Sequence, residues 1–186
     1  MKKIVVGVTG KICSGKSTLC RFLQKKGFCY IHVDKIVVDL YKNGESGSKL
    51  LQKMFGGEYL KRDGSVDKDK LRGIFKTAKF EKFVKELNVL IVDCVKNIIK
   101  HSDKSRFVIE YIDFDNPDFK RIVNEIILVK CPFELTKKRN KKFNDLFLLK
   151  AYKSQKINIK TDYVIDNVGK KTDLYRKTEF FLDNLL

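Results

Sequence analysis

Short apolar runs alternate along this chain with longer segments in which apolar residues recur every three or four positions. The apolar runs are rich in Val and Ile, as is typical of buried strands in a parallel sheet, and they fall at 4–8, 28–33, 106–111, 125–130 and 162–165. The segments with helical spacing are 17–26, 35–42, 47–55, 67–101, 133–156 and 171–185. This alternation predicts a single domain over residues 1–186, a three-layer α/β fold around a mainly parallel five-stranded sheet.

Three segments depart from the simple alternation. No strand pattern interrupts residues 67–101, so this stretch predicts a helical sub-domain inserted into the fold. Residues 56–64, GGEYLKRDG, are bounded by glycines and predict a turn region. Residues 133–156 are dense in lysine, and we expect their helical pattern to break near 141–144.

Residues 10–17, GKICSGKS, fit the pattern G-x-x-x-x-G-K-[ST] of nucleotide-binding phosphate loops. A predicted strand precedes them and a predicted helix follows, which is the context that the pattern requires. Backbone N–H groups of such a loop bind phosphate oxygens, helped by the positive end of the helix. Lys16 would reach the β- and γ-phosphates, Ser17 would ligate Mg²⁺, and Thr18 would lie near the α-phosphate. The sequence therefore predicts a P-loop NTPase-type fold; a plain glycine turn with a solvated Lys16 would leave the spacing unexplained.

Asp34 follows the second predicted strand. The carboxyl ends of the strands form the ligand-binding edge of a parallel sheet, so we expect Asp34 beside the phosphate loop. Its carboxylate can cap the helix that starts at residue 35. It can also orient and deprotonate an acceptor hydroxyl. The two roles are compatible.

The net charge is +17, from 40 Lys and Arg against 23 Asp and Glu. Such a charge suits polyanionic ligands, which include nucleic acids, anionic membranes and phosphorylated small molecules. The basic residues are spread along the whole chain and form no stripe, so we do not expect nucleic acid as the partner.

Histidine and cysteine narrow the chemistry further. The two histidines, His32 and His101, exclude a multi-histidine metal centre and favour a carboxylate as the base. Five scattered cysteines without a C-x-x-C pair predict reduced thiols. No apolar run is long enough to span a membrane, and the run at 4–8 is too short for a signal peptide. We therefore expect a cytoplasmic protein that does not bind a membrane.

Several phrases together resemble one family of P-loop kinases, the dephospho-coenzyme A kinases. The resemblance covers almost the whole chain, and its phrases are VGVTGKICSGKST, YIHVDKIVVDLYKNGESG, FGGEYLKRDGSVDKDKLRGIF, the Ser154-Gln155 pair and DYVIDNVG. It implies transfer of the γ-phosphoryl group of ATP, with Mg²⁺, to the ribose 3′-hydroxyl of dephospho-CoA. That reaction is the last step of coenzyme A synthesis. No protein partner is implied.

The resemblance also assigns roles to individual residues. Asp34 matches the family's base, and residues 67–101 match its acceptor-binding domain. Arg72 would contact the substrate there, or it would form a salt bridge on the helix surface. Residues 137–150 match a lid. The residues implied to bind ATP are Gly10, Cys13, Ser14, Gly15, Lys16, Ser17, Thr18 and Arg139, with Lys16 also catalytic and Ser17 also the metal ligand.

The chain departs from the family pattern at several positions. Lys11 and Cys13 stand where glycines are usual in the loop. A side chain at position 13 tolerates phosphate only if the backbone there avoids positive φ, and we expect it to do so. His32 replaces the first acid of the D-A-D phrase, and Asn88-Val89 replaces a His-Pro pair. Asp113 or Asp115 would then supply the acid that normally follows the third strand.

The lid is poor in arginine. Only Arg139 remains among lysines, and Ala151 stands four positions before Gln155. Lysine neutralises phosphate without the planar fork of arginine, which predicts weaker nucleotide binding. Two alternatives stay open: a kinase for another nucleoside or nucleotide, and a non-enzymatic nucleic-acid or regulatory binder with a relic loop.

Overall fold

The computed structural model describes residues 3–75, 77–157 and 159–185. Its strands are β1 (Ile4–Thr9), β2 (Cys29–His32), β3 (Arg106–Glu110), β4 (Glu125–Lys130) and β5 (Tyr163–Asp166). They form one five-stranded sheet in the order β2-β3-β1-β4-β5. The β1–β3, β1–β4 and β4–β5 pairs are parallel. The expected α/β fold with a parallel five-stranded sheet is confirmed.

The described helices lie between and after the strands. They are α1 (Lys16–Lys25), α2 (Val33–Leu40), α3 (Ser46–Phe55), α4 (Lys68–Arg72), α5 (Ala78–His101), α6 (Pro117–Ile122), α7 (Phe133–Arg139), α8 (Asp145–Ser154) and α9 (Lys171–Leu185). None of them is both long enough and apolar enough to span a bilayer.

The chain divides into two compact units, one formed by Met1–Ile31 with Ser102–Leu186 and the other by His32–His101. In the first unit, apolar side chains of β1 and β4 pack on α1 and α9 around Val6, Leu23 and Phe181, which are almost fully buried. In the second unit, α5 packs on α2 and α3. The predicted sub-domain at 67–101 falls within this second unit.

Two local expectations differ from the structure. Residues 67–101 are not helical throughout: α4 ends at Arg72, residues 73–75 form a turn, and α5 begins at Ala78. Helix α6 was not predicted, because its six residues are too few to show a period. Asn116 and the proline that follows it start α6, with the Asn116 side chain accepting a hydrogen bond of 2.8 Å from Asp118 N–H.

The centre of the sheet has no room for a side chain at Gly7. A Cβ atom there would lie 2.9 Å from Cζ of Phe114, a ring that is completely buried. The glycine in β1 therefore lets an aromatic residue pack directly on the strand backbone.

We predict that Gly7→Ala lowers the free energy of unfolding by about 1–3 kcal/mol, because the added methyl group forces Phe114 out of place. Chemical denaturation measures the effect. Gly57→Ala is the matched control, since a Cβ there meets nothing within 4 Å. Adding Phe114→Leu to Gly7→Ala should restore part of the loss, and strictly additive losses would contradict this explanation.

Candidate nucleotide-binding site

The loop between β1 and α1 has the tight turns that a phosphate site needs. Gly10 and Gly15 have φ angles of 152° and 109°. A Cβ atom at Gly10 would lie 2.4 Å from the Val129 carbonyl oxygen, and one at Gly15 would lie 2.3 Å from Nδ2 of Asn167. Both glycines are therefore required by space as well as by backbone angle.

Cys13 differs from the expectation for this position. Its φ angle is 55°, so the loop does place a side chain in the left-handed region. A residue with a Cβ atom is strained there by about 1–2 kcal/mol. Burial raises the pKa of the Cys13 thiol, while Lys16 and Lys142 oppose the shift. The thiol is therefore neutral at physiological pH.

Lys16 begins α1 and folds back over the loop. Its Nζ donates to the carbonyl oxygens of Gly10 at 2.8 Å and of Lys11 at 3.0 Å. The ammonium group is thus bound by carbonyl groups of the loop itself, and an incoming phosphate would compete with them. Thr18 follows in the first turn of α1, and its N–H donates to the Gly15 carbonyl at 3.1 Å.

Ser17 donates its hydroxyl to a carboxylate from the neighbouring strand. Glu110 ends β3 opposite Val8 of β1, and its Oε1 accepts from Ser17 Oγ at 2.7 Å. Its Oε2 accepts from the hydroxyl of Tyr30, on β2. Glu110 is only 7% exposed. Burial and the bond to Glu110 raise the pKa of Tyr30, so the phenol stays protonated and can donate.

The carboxylate that contacts Ser17 is therefore Glu110, and not Asp113 or Asp115, the two acids that the sequence suggests. Those two residues serve the turn before α6: Asp113 Oδ1 accepts from Asp115 N–H at 3.2 Å, and Asp115 pairs with Lys120 at 2.6 Å. The sequence does carry a signal for Glu110. It is the one acid in the apolar run 106–111, at the end of a strand.

Two amide side chains hold the loop from outside. Asn167 follows β5 and is buried, and its Nδ2 donates to the Ser14 carbonyl at 2.8 Å. Gln155 caps the end of α8, and its Oε1 accepts from Ile12 N–H at 2.5 Å. The phrases DYVIDNVG and Ser154-Gln155 thus support the loop directly. The Ser14 hydroxyl, in contrast, is buried without a hydrogen-bond partner.

A cavity of about 580 Å³ opens beside the loop at the carboxyl ends of β4 and β5. Its size is that of a small-molecule pocket. On one side Lys11 lies over the ring of Tyr152, with 4.2 Å between Nζ and the ring centroid. The cavity is lined by these two residues and, among others, by Cys131, Pro132, Gln155 and Val168.

Arg139 ends α7 and binds the loop that follows β5. Its guanidinium donates to the carbonyl oxygens of Asn167 at 2.7 Å and Gly169 at 2.6 Å. After it, the predicted break in the basic segment is confirmed, because α7 ends at Arg139 and α8 begins at Asp145. The ion pair of Lys137 with Asp145, at 2.8 Å, spans this break.

Asp34 and Arg72 belong to the second unit. The structure corrects the capping role of Asp34: His32 is the N-cap of α2, and Asp34 is an exposed residue within its first turn. Arg72 forms the helix-surface salt bridge that was its alternative role, with 2.7 Å between Nη1 and Oδ1 of Asp69.

Comparison with known proteins identifies the family. The family model for dephospho-CoA kinase matches residues 4–171. The chain belongs to the dephospho-CoA kinase family. It is similar to the dephospho-CoA kinase of Fusobacterium nucleatum, with 32% identity over 197 residues that cover both chains completely. The dephospho-CoA kinase of Aquifex aeolicus is 28% identical over 194 residues, which cover 100% of this chain and 98% of the relative.

The fold of this dephospho-CoA kinase family member also matches solved structures. A dephospho-CoA kinase from Campylobacter jejuni has a TM-score of 0.60 and 24% identity, and the match covers 98% of this chain and 97% of the other. The resemblance inferred from the sequence phrases is therefore confirmed, and with it the P-loop kinase fold.

We predict that Cys13→Gly raises the free energy of unfolding by up to about 1 kcal/mol. Glycine relieves the left-handed strain but gains freedom in the unfolded chain, which limits the benefit. Cys13→Ala is the matched control, since it removes the sulfur and keeps the Cβ atom. Chemical denaturation of the wild-type protein and of both variants gives the three free energies of unfolding to be compared. An equal gain with alanine would assign the effect to the thiol and not to the backbone.

Proposed function

We propose that this chain transfers the γ-phosphoryl group of ATP to the ribose 3′-hydroxyl of dephospho-CoA. The observation that carries the proposal is the phosphate loop, where Lys16 binds the loop carbonyls and Ser17 contacts Glu110 of β3. The family match of this chain spans 4–171. All five cysteines are free thiols, which is typical of a reducing compartment and supports a cytoplasmic location.

The loop supplies the electrostatics of transfer. Its N–H groups and the start of α1 bind phosphate oxygens, and Lys16 moves from the loop carbonyls to the β- and γ-phosphates. Little covalent chemistry is asked of the protein, so positioning and charge stabilisation account for the rate.

Ser17 and Glu110 fit a magnesium ion. Mg²⁺ prefers hard oxygen ligands and is usually held by one or two protein groups together with phosphates. A serine hydroxyl beside a buried carboxylate offers that chemistry. The ion, when bound, neutralises charge on the β- and γ-phosphates.

Asp34 is proposed as the base. It accepts the proton of the ribose hydroxyl as that oxygen attacks the γ-phosphorus. Arg72 leaves its salt bridge with Asp69 and binds an anionic group of the acceptor instead. The pair with Asp69 is exposed and therefore weak, so the exchange costs little.

Release of ADP from ATP, measured with and without dephospho-CoA, tests the activity. We expect release to depend on dephospho-CoA, with a product that carries a new 3′-phosphate by mass spectrometry and phosphorus NMR. AMP and adenosine at equal concentration are the comparison acceptors. If either one were phosphorylated as fast as dephospho-CoA, the proposal that dephospho-CoA is the acceptor would be contradicted.

We predict that Lys16→Ala lowers kcat/KM at least about 100-fold, because it removes a cation from the transferring phosphoryl group. Stability should change by less than about 0.5 kcal/mol. Lys25→Ala, at the exposed end of the same helix, is the control and should retain activity. Near-wild-type turnover by Lys16→Ala would overturn the phosphate-loop assignment.

We predict that Asp34→Asn lowers kcat by about 10²–10⁴-fold, the usual value of a general base, while ATP affinity persists. Calorimetry with ATP and steady-state rates with dephospho-CoA separate the two quantities. Asp39→Asn on the same helix is the control, because Asp39 is exposed and pairs with Lys42 at the surface. Loss of ATP binding along with kcat would make Asp34 a structural or metal-associated residue.

We predict that residues 137–150 act as a lid that closes on ATP. The segment is dense in lysine, so like charges oppose closure until phosphates neutralise them. Amide hydrogen exchange within it should slow when an ATP analogue and Mg²⁺ are added, while exchange in α9 stays constant. Unchanged exchange at saturating nucleotide would exclude a lid.

A further inference from the structure

We propose that Tyr30 is a positioning residue, which holds Glu110 so that Ser17 presents its oxygen to magnesium nucleotide. The inference rests on the proposed function for the identity of the nucleotide. Three strands supply the arrangement: β1 leads into the loop, β3 ends at Glu110, and β2 carries Tyr30 next to β3.

The hydrogen bonds define the role of each group. The two oxygens of Glu110 each accept from a different hydroxyl, Oε1 from Ser17 and Oε2 from Tyr30. A serine hydroxyl has one proton and two lone pairs. Because its proton is directed to Glu110, the lone pairs of Ser17 remain for a cation.

Tyr30 is suited to fix the carboxylate. The terminal torsion of a glutamate is broad, so a carboxylate that is held at one oxygen can still turn. A second donor on the other oxygen removes that freedom. The tyrosine ring packs against the core of the first unit, which fixes where its hydroxyl points.

A purely structural role is the competing explanation. In that case the phenol would only satisfy a buried carboxylate, and its loss would change stability without changing how the site responds to metal. Partners that orient a metal-binding group typically change metal affinity or activity 10–100-fold when they are removed. The metal dependence of nucleotide binding therefore distinguishes the two.

Tyr30→Phe tests the inference, since it keeps the ring and removes the hydroxyl. The affinity of a non-hydrolysable ATP analogue is measured by calorimetry in excess Mg²⁺ and again in EDTA. The ratio of the affinity in Mg²⁺ to the affinity in EDTA is called the Mg²⁺ ratio. We expect this ratio to fall about tenfold in the variant, while the affinity in EDTA stays unchanged. Tyr163→Phe is the matched control, because the Tyr163 ring packs on the same core. In this variant Mg²⁺ should increase the nucleotide affinity as much as it does in the wild-type protein. An unchanged ratio in Tyr30→Phe would overturn the proposal.

A double-mutant cycle with Glu110→Gln tests whether Tyr30 acts through Glu110. If it does, Tyr30→Phe should change the Mg²⁺ ratio less than about twofold once Glu110 is glutamine. Full additivity would overturn the proposal even if each single variant is impaired. Circular dichroism and thermal melting establish that each variant is folded before its ratio is used.

The experiment is separate from the test of the reaction, because no acceptor is present. Wild-type protein that binds magnesium nucleotide but does not phosphorylate dephospho-CoA would contradict only the proposed function. A normal Mg²⁺ ratio in Tyr30→Phe, with dephospho-CoA turned over by wild type, would contradict only the role of Tyr30.

Discussion

The close approach of backbone to backbone at Gly10 determines how the rest of the site is built. A Cβ atom at this position would lie 2.4 Å from the Val129 carbonyl oxygen, so β4 and the loop touch without side chains between them. Asn167 then reaches the Ser14 carbonyl and Gln155 the Ile12 N–H. Because the loop is held at these three places, it can keep the left-handed Cys13 despite the strain.

The site is cationic around one buried acid. Lys16 donates to the loop carbonyls. Burial raises the pKa of the Cys13 thiol, and the positive charges of Lys16 and Lys142 both act against that shift. Glu110 is the carboxylate that the sheet brings to the loop. One buried acid among lysines suits a ligand that arrives as a polyphosphate with a divalent cation.

The sequence predicted most of the framework and less of the site. Strand β4 and helix α9 have the predicted bounds, because in both segments the spacing of the apolar residues and the length of the segment indicate the same element. Glu110 and its donor Tyr30 were missed, since contacts between neighbouring strands depend on the strand order 2-3-1, which periodicity does not contain. The start of α2 was predicted two residues too late. Strand β2 ends at His32 and α2 begins at Val33, so Asp34 lies in the first turn, and an exposed acid fits a cap or a first turn equally well.

Arg139 is an arginine in a segment that is otherwise rich in lysine, and its hydrogen bonds suggest why. Phosphates require positive charge near them, and lysine supplies charge as well as arginine does. A guanidinium presents several N–H groups in one plane at fixed directions, so it can bind two carbonyl oxygens through two different nitrogens. Arg139 binds the carbonyls of Asn167 and Gly169 together. It thereby fixes the loop from which Asn167 supports Ser14, so an arginine at this position serves the phosphate loop whether or not it also touches the nucleotide base.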